Sequence, residues 1–277
     1  MYDVYFSREN LDTYLKELAK EFRKLNGKAM PAEIILIGGA AILANYGFRD
    51  MTYDIDAVIS ASSAMKDAIN KVGDKFNLPN GWLNSDFMKT KSFSSKLALY
   101  SNYYKTFSNV LNVRTISAEY LIAMKLMSGR PYKHDLSDVS GILMEHQKRN
   151  APLSFEQIQN AIINLYGSMD EVPDHSLNYL KSALNTENLE QFIIDSKKSE
   201  QDAKVKLIHF EEEYTGVLNE GNLHQILNDL SNKQKNSKHD VLSFSRTAQK
   251  SFAEKATERP QHNDKNKNDI EQKSVSP

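Results

Sequence analysis

Leu11, Tyr14, Leu15, Leu18, Phe22 and Leu25 recur at three- and four-residue intervals, the repeat of one helical face. An amphipathic helix is therefore expected over residues 8–26, with Ser7 placed to cap it and Gly27 to end it. Residues 33–38 form a short run, apolar from Ile34 on, the pattern of a strand buried on both faces. Gly38-Gly39 then turns into a short helix, about 39–46, closed by Gly47; a strand over 54–60 and a helix near 62–76, capped by Ser62 or Ser63, follow. Residues 79–104 begin with the turn Pro79-Asn80-Gly81 and carry Trp82, Phe87, Phe93, Tyr100, Tyr103 and Tyr104 without a clean period, which suits one or two strands. Val110–Ile116 reads as a further strand, Ser117 as the cap of a helix ending at Gly129-Arg130-Pro131, and Asp135 to about Gln147 as the next helix.

From Ser154 the period is helical only. Ser154 and Gln157 have capping-box spacing, Phe155, Ile158, Ile162 and Leu165 form one stripe, and Gly167 lies beyond its end. Helices are expected near 175–184, 187–214 and 221–231. Beyond Ser231 the chain is mostly Lys, Asn, Gln, Ser, Asp and Glu, too few apolar residues to offset the entropy of ordering, so disorder is expected there, with room for a short helix near 245–256. Together these elements predict an α/β (α+β) fold, a small mixed sheet with a C-terminal helical domain. The expected boundaries are 1–150, 151–231 and a tail over 232–277; no internal repeat is present.

Composition narrows the chemistry. In 277 residues, 40% hydrophobic and 26% charged, the net charge is -1, which gives no global attraction to nucleic acid. No cysteine is present, which excludes disulfides, thiolate zinc sites and cysteine nucleophiles. The first ten residues lack a secretory pattern and no apolar run approaches the length of a membrane span, so a cytoplasmic protein without membrane contact is expected. Gly38-Gly39 is followed by neither Gly-Lys-Ser/Thr nor a G-x-x-G continuation, which excludes Walker and Rossmann loops. The histidines show no H-x-H or H-E-x-x-H spacing and there is no Gly-x-Ser-x-Gly elbow. What remains is Gly38-Gly39 followed by Asp54-Ile55-Asp56. Glycines admit close approach of backbone to phosphate, and two acids two positions apart on a strand share a face, where a divalent cation can sit between them. Against each stands a plainer reading, a tight turn for the glycines and an edge placement for the acids.

The order Ile37-Gly38-Gly39, helix, Asp54-Ile55-Asp56 resembles the DNA polymerase beta-like nucleotidyltransferase superfamily. Within it, the chain is similar to AbiEii-type and related nucleotidyltransferases of bacterial toxin–antitoxin and phage-defence systems. A second block carries the resemblance: Leu121 to Leu126 with Lys125, then Gly129-Arg130, then Lys133-His134-Asp135-Leu136-Ser137-Asp138. The resemblance covers about residues 30–147. It implies transfer of a nucleoside monophosphate from a nucleoside triphosphate to an acceptor hydroxyl on RNA or protein, with a cognate antitoxin as partner. It implies Mg²⁺ or Mn²⁺ on Asp54 and Asp56, Gly38 and Gly39 at the triphosphate, Lys125 and Asp138 as catalytic groups, and Arg130 and Asp135 in the nucleotide cleft. Read alone, Asp135 and Asp138 are equally the cap and first-turn acid of a helix.

Two departures stand against the resemblance. The strand 110–116 has Asn112 where the superfamily usually carries a third carboxylate, and the spacing from Gly39 to Asp54 is slightly long. A catalytically silent module of the same fold, or an antitoxin partner, is therefore the competing expectation.

Overall fold

In the computed structural model, which describes residues 4–219 and 221–232, the N-terminal apolar stripe becomes helix α1, Arg8–Asn26, with Leu11, Leu15, Leu18 and Phe22 buried. Ser7 precedes it, its backbone N–H donating to Asn10 Oδ1 at 2.9 Å. The apolar run forms strand β1, Ala32–Leu36, and the glycine pair opens α2, Gly38–Asn45. Strand β2, Ile55–Ser60, and helix α3, Ala64–Phe76, follow. The aromatic segment resolves into a two-residue strand, β3 (Leu83–Asn84), two 3-10 turns, and β4, Ser101–Phe107. Strand β5, Leu111–Ile116, leads into α4, Ala118–Ser128, and α5, Asp135–Lys148. Helices α6 (Phe155–Tyr166), α7 (Asp174–Asn185) and α8 (Leu189–Glu213) complete the run, with both halves of the Ser154/Gln157 capping box formed.

The sheet is mixed, in the order β3-β2-β1-β5-β4. β1 runs antiparallel to β2 and parallel to β5; β2 and β3 are parallel, β4 and β5 antiparallel. The expected small mixed sheet with many helices is thus the observed architecture. Helices α1 and α3 pack on one another, and their apolar faces join one core with Ile34, Leu36, Ile55, Ala57 and Val113 of the strands. Helix α4 is buried at every position except Glu119 and its last residue, Ser128, because α5, α6 and α7 all pack against it. That placement forces its one cation, Lys125, into the interior.

Among the described residues, those up to 212 and those from 213 on fall into separate units. In the second, residues 223–232 are helical, while the tail expected over 232–277, beyond Asn232, and the short helix expected near 245–256 lie outside the described residues. Among the described residues no helix is long and apolar enough to cross a membrane.

Candidate functional site

Two clusters of side chains meet around the start of α2. The first is the glycine turn and the acids beside it. Gly38 adopts φ +54°, the left-handed region that a side chain disfavours. A Cβ there would stand 3.5 Å from Asp56 Oδ2, so the first turn of α2 lies directly against that carboxylate. As at any helix start, its first N–H groups have no intrahelical acceptor. Ile37 N–H donates to the Asp56 carbonyl at 3.0 Å, locking β1 to β2 at this level. Strand β2 begins only at Ile55; Asp54 precedes it and is exposed, while Asp56 is half-buried. The Asp56 carboxyl is pushed up to about 6, first by burial and then by the negative charge of Asp54. The charges of Lys125, Arg130 and Lys133 oppose that rise. Lys133, in the link between α4 and α5, is itself held below the ordinary lysine range, by loss of hydration and by the Arg130 guanidinium.

The second cluster is an ion network. Lys125 Nζ lies 3.0 Å from Asp135 Oδ1 and 2.8 Å from Asp138 Oδ2. Arg130 donates to Asp135 from Nε at 2.7 Å, from Nη2 at 3.2 Å and from its backbone N–H at 3.3 Å. Arg49 Nη1 donates to Asp138 Oδ2 at 2.6 Å. Asp135 and Asp138 are 1% and 3% exposed, and Lys125 9%. Burial alone would raise the Asp135 carboxyl, but Lys125 and Arg130 hold it well below the carboxylate range. Burial likewise works against the Lys125 charge, and the two carboxylates more than offset it, raising its pKa. Helix α5 is anchored from outside as well: Glu200 of α8, buried, accepts the N–H groups of Leu136 and Ser137 at 3.1 Å each. Glu200 therefore does at the α5 N-terminus what a capping side chain does.

The structure accordingly brings Gly38, Asp54, Asp56, Lys125, Arg130, Asp135 and Asp138 into one region, but divides them by role. Both carboxylates of the second cluster engage Lys125. The aspartates at 54 and 56 do not share one strand, since Asp54 lies before it. Gly39 also differs from expectation. A Cβ at Gly39 would fall 2.5 Å from Thr52 Oγ1 and 3.2 Å from Arg49 Nη2, so protein already occupies the space beside it.

Those contacts explain the long spacing between Gly39 and Asp54. The segment after α2 makes a bridge from Thr52 to Phe6, sets Phe48 against Gly141 of α5, and carries Arg49 to Asp138. Arg49 and Thr52 drew no sequence-based assignment; their only signal was their place inside that extended link. Lys133 stood within the second block without a role.

Asn112 cannot complete a carboxylate trio. By extension of the strand registers, Asp56 is level with Ile37 on β1 and Ile116 on β5. Asn112 lies four residues back along β5, about 13 Å at the usual rise per strand residue, and its Oδ1 accepts from Thr106 at 2.8 Å. Among the described residues no group of three or more acids or histidines could hold a metal ion. The donor set still suits a hard cation that keeps water and substrate oxygens: Mg²⁺ sites use one or two protein carboxylates, and Asp54 and Asp56 repel each other in the absence of a cation.

A family model described as "Nucleotidyltransferase of unknown function (DUF6036)" matches residues 13–171, more than half of the chain. That span contains both clusters. No curated protein and no solved structure matches the sequence.

Proposed function

The chain belongs to this family of nucleotidyltransferases, and on that premise we propose that it moves a nucleoside monophosphate from a nucleoside triphosphate to an acceptor hydroxyl, releasing pyrophosphate. The carrying observation is a half-buried acid, Asp56, against the glycine turn, with an exposed acid beside it and the charges of Lys125, Arg130 and Lys133 near enough to oppose the rise of its pKa. Asp54 and Asp56 would hold Mg²⁺ or Mn²⁺. That ion would neutralise triphosphate oxygens and favour ionisation of the acceptor hydroxyl. The N–H groups at the start of α2 would receive phosphate oxygens, aided by the positive end of the helix. Arg130 and Lys133, at the rim of the same acids, would offset charge on the transferring group.

Lys125, Asp135 and Asp138 act in this reading as positioning residues. Asp135 fixes the Arg130 fork with three hydrogen bonds, and Lys125 keeps the two acids of α5 charged without repulsion. The acceptor is RNA or protein, and the resemblance to AbiEii-type proteins supports a toxin, with a cognate antitoxin, in a toxin–antitoxin or phage-defence pair. The silent binding module is favoured by one observation, the apolar Ile116 at the β5 position level with Asp56. Incubation of the protein with each labelled nucleoside triphosphate, Mg²⁺, and separate RNA and protein fractions decides between them. Label in one fraction supports transfer. Nucleotide binding without label in either fraction supports the silent module.

A further inference from the structure

On α8, residues at the spacing of one helical face, Phe192, Asp195, Ser196, Ser199 and Glu200, all line a single cavity of about 430 Å³. The inward face of a packed helix is ordinarily apolar and fills the space before it. Here only Phe192 is apolar, and the two serines are too small to close the gap. The opposite walls include Tyr179 of α7, Leu136 of α5 and Pro131 of the α4–α5 link. The space left open falls within the size range of small-molecule sites, roughly 300–1,000 Å³.

The charge of the cavity is one-sided. Among the described residues that line it, Asp195 and Glu200 are acids and none is basic. Asp195 is exposed, and its Oδ1 accepts from Gln191 at 3.0 Å. Glu200 is 4% exposed, and its two oxygens differ. Oε1 accepts the Leu136 and Ser137 N–H groups, whereas Oε2 is buried without a hydrogen-bond partner. His134 Nδ1 stands 3.7 Å from Oε2, outside hydrogen-bond reach. A buried carboxylate oxygen without a donor is costly, and a cation that brings donors relieves that cost.

The remaining walls specify the kind of cation. Tyr179 and Phe192 pack with ring centroids 5.0 Å apart at an interplanar angle of 50°, and aromatic rings attract an ammonium group. The Tyr179 hydroxyl is engaged with Ser140 and Ser196, at 2.6 and 2.8 Å, so this residue offers its ring rather than its oxygen. Leu136 and Pro131 suit methylene groups and not the water shell of a metal ion. An anion would meet two negative charges.

We propose that this cavity binds a short aliphatic diamine, with its ammonium groups at Glu200 and Asp195 and its methylenes against Phe192 and Leu136. The two acids are five residues apart on α8, roughly 7.5 Å along the helix axis, which calls for a cation extended along the helix rather than one compact charge. Because Glu200 also caps α5, a bound diamine ties α8 to the helix that carries Asp135 and Asp138. None of the lining residues belongs to the glycine turn or to the Asp54/Asp56 pair, so binding here does not depend on nucleotide transfer.

The test is calorimetric titration of the full chain with diaminobutane at neutral pH, using the wild type, Glu200→Gln and Asp195→Asn, each checked by melting temperature. Butylamine and butanediol serve as comparison probes. The expected result for the wild type is saturable binding of the diamine, weaker binding of the monoamine and no binding of the diol. The diamine is also expected to raise the melting temperature, as any ligand of the folded state does. Glu200→Gln keeps an oxygen for the α5 N–H groups and removes the charge. It is expected to lower diamine affinity roughly tenfold to a hundredfold, the scale of one charged hydrogen bond. Asp195→Asn, at an exposed position, is expected to lower it several-fold without moving the melting temperature of the free protein. A folded wild type that binds no diamine, or that binds the diol as well as the diamine, would overturn the site. Unchanged diamine affinity in both variants would do the same. Should Glu200→Gln fail to fold, Asp195→Asn decides alone, and unchanged affinity in it would overturn the site.

Discussion

The two acidic clusters flanking the start of α2 are built on opposite principles. In the α4–α5 cluster, Asp135 and Asp138 meet Lys125, Arg130 and Arg49 at 2.6–3.2 Å. In the β2 cluster, Asp56 has cations near enough to be felt, neither Asp54 nor Asp56 forms an ion pair among the described residues, and Asp56 is driven toward protonation. A saturated network gains nothing from a ligand; an uncompensated pair of acids does. The first is a frame, the second a vacancy in charge that a cation and its phosphate would fill.

The comparison breaks most visibly in stability. Lys125→Met leaves two buried acids short of a partner, and removing one member of a buried ion pair costs about 3–5 kcal/mol. Chemical denaturation should register that loss, whereas Asp56→Asn, which relieves a strained charge, should leave the protein as stable as the wild type or more so. Loss of stability in both variants would erase the distinction.

Gly39 and Gly38 provide a finer test. Gly39→Val drives side-chain atoms into Thr52 and Arg49, an overpacking expected to cost about 1–3 kcal/mol. Gly38→Ala meets no clash but must hold a left-handed φ, at roughly 1–2 kcal/mol. Pairing Gly39→Val with Thr52→Ala should recover part of the first loss and none of the second, as read from denaturation midpoints.

A smaller effect is expected with pH. The folded-state pKa of Asp135 lies below its unfolded value near 4. Its stabilisation is therefore complete above that value and is lost as the pH falls below it. The melting temperature of the wild type should decline through the acid range, and Asp135→Asn, less stable at neutral pH, should decline less steeply there. Smallest is the α8 contact: Glu200→Ala uncaps α5 and should cost about 1 kcal/mol, while Glu200→Gln keeps the accepting oxygen and should recover most of it.

Much of this was legible in the chain. The stripe from Leu11 to Phe22, the apolar β1 run and the Ser154/Gln157 box act within a few residues, and each formed as expected. The glycine pair was legible as a turn into a helix because turn chemistry is local, whereas of the two acids expected on one strand only Asp56 lies on β2. Arg49 was not found, because its value depends on Asp138, 89 positions away. The helical period places Lys125 on α4, but the burial of that helix by α5, α6 and α7 comes from packing that the period does not carry. The unusually long Gly39–Asp54 spacing carried the missing information, since those extra residues deliver Phe48, Arg49 and Thr52 to their partners.

On the proposed function, the β2 acids, and not the α5 acids, would take up the cation and the nucleotide. Calorimetric titration of a Mg²⁺–nucleoside triphosphate into the wild type and into Asp54→Asn/Asp56→Asn, each shown folded by its melting curve, tests it directly. The account predicts saturable binding to the wild type and loss of most of that affinity in the double variant without loss of stability. Equal affinity in the two folded proteins would contradict it.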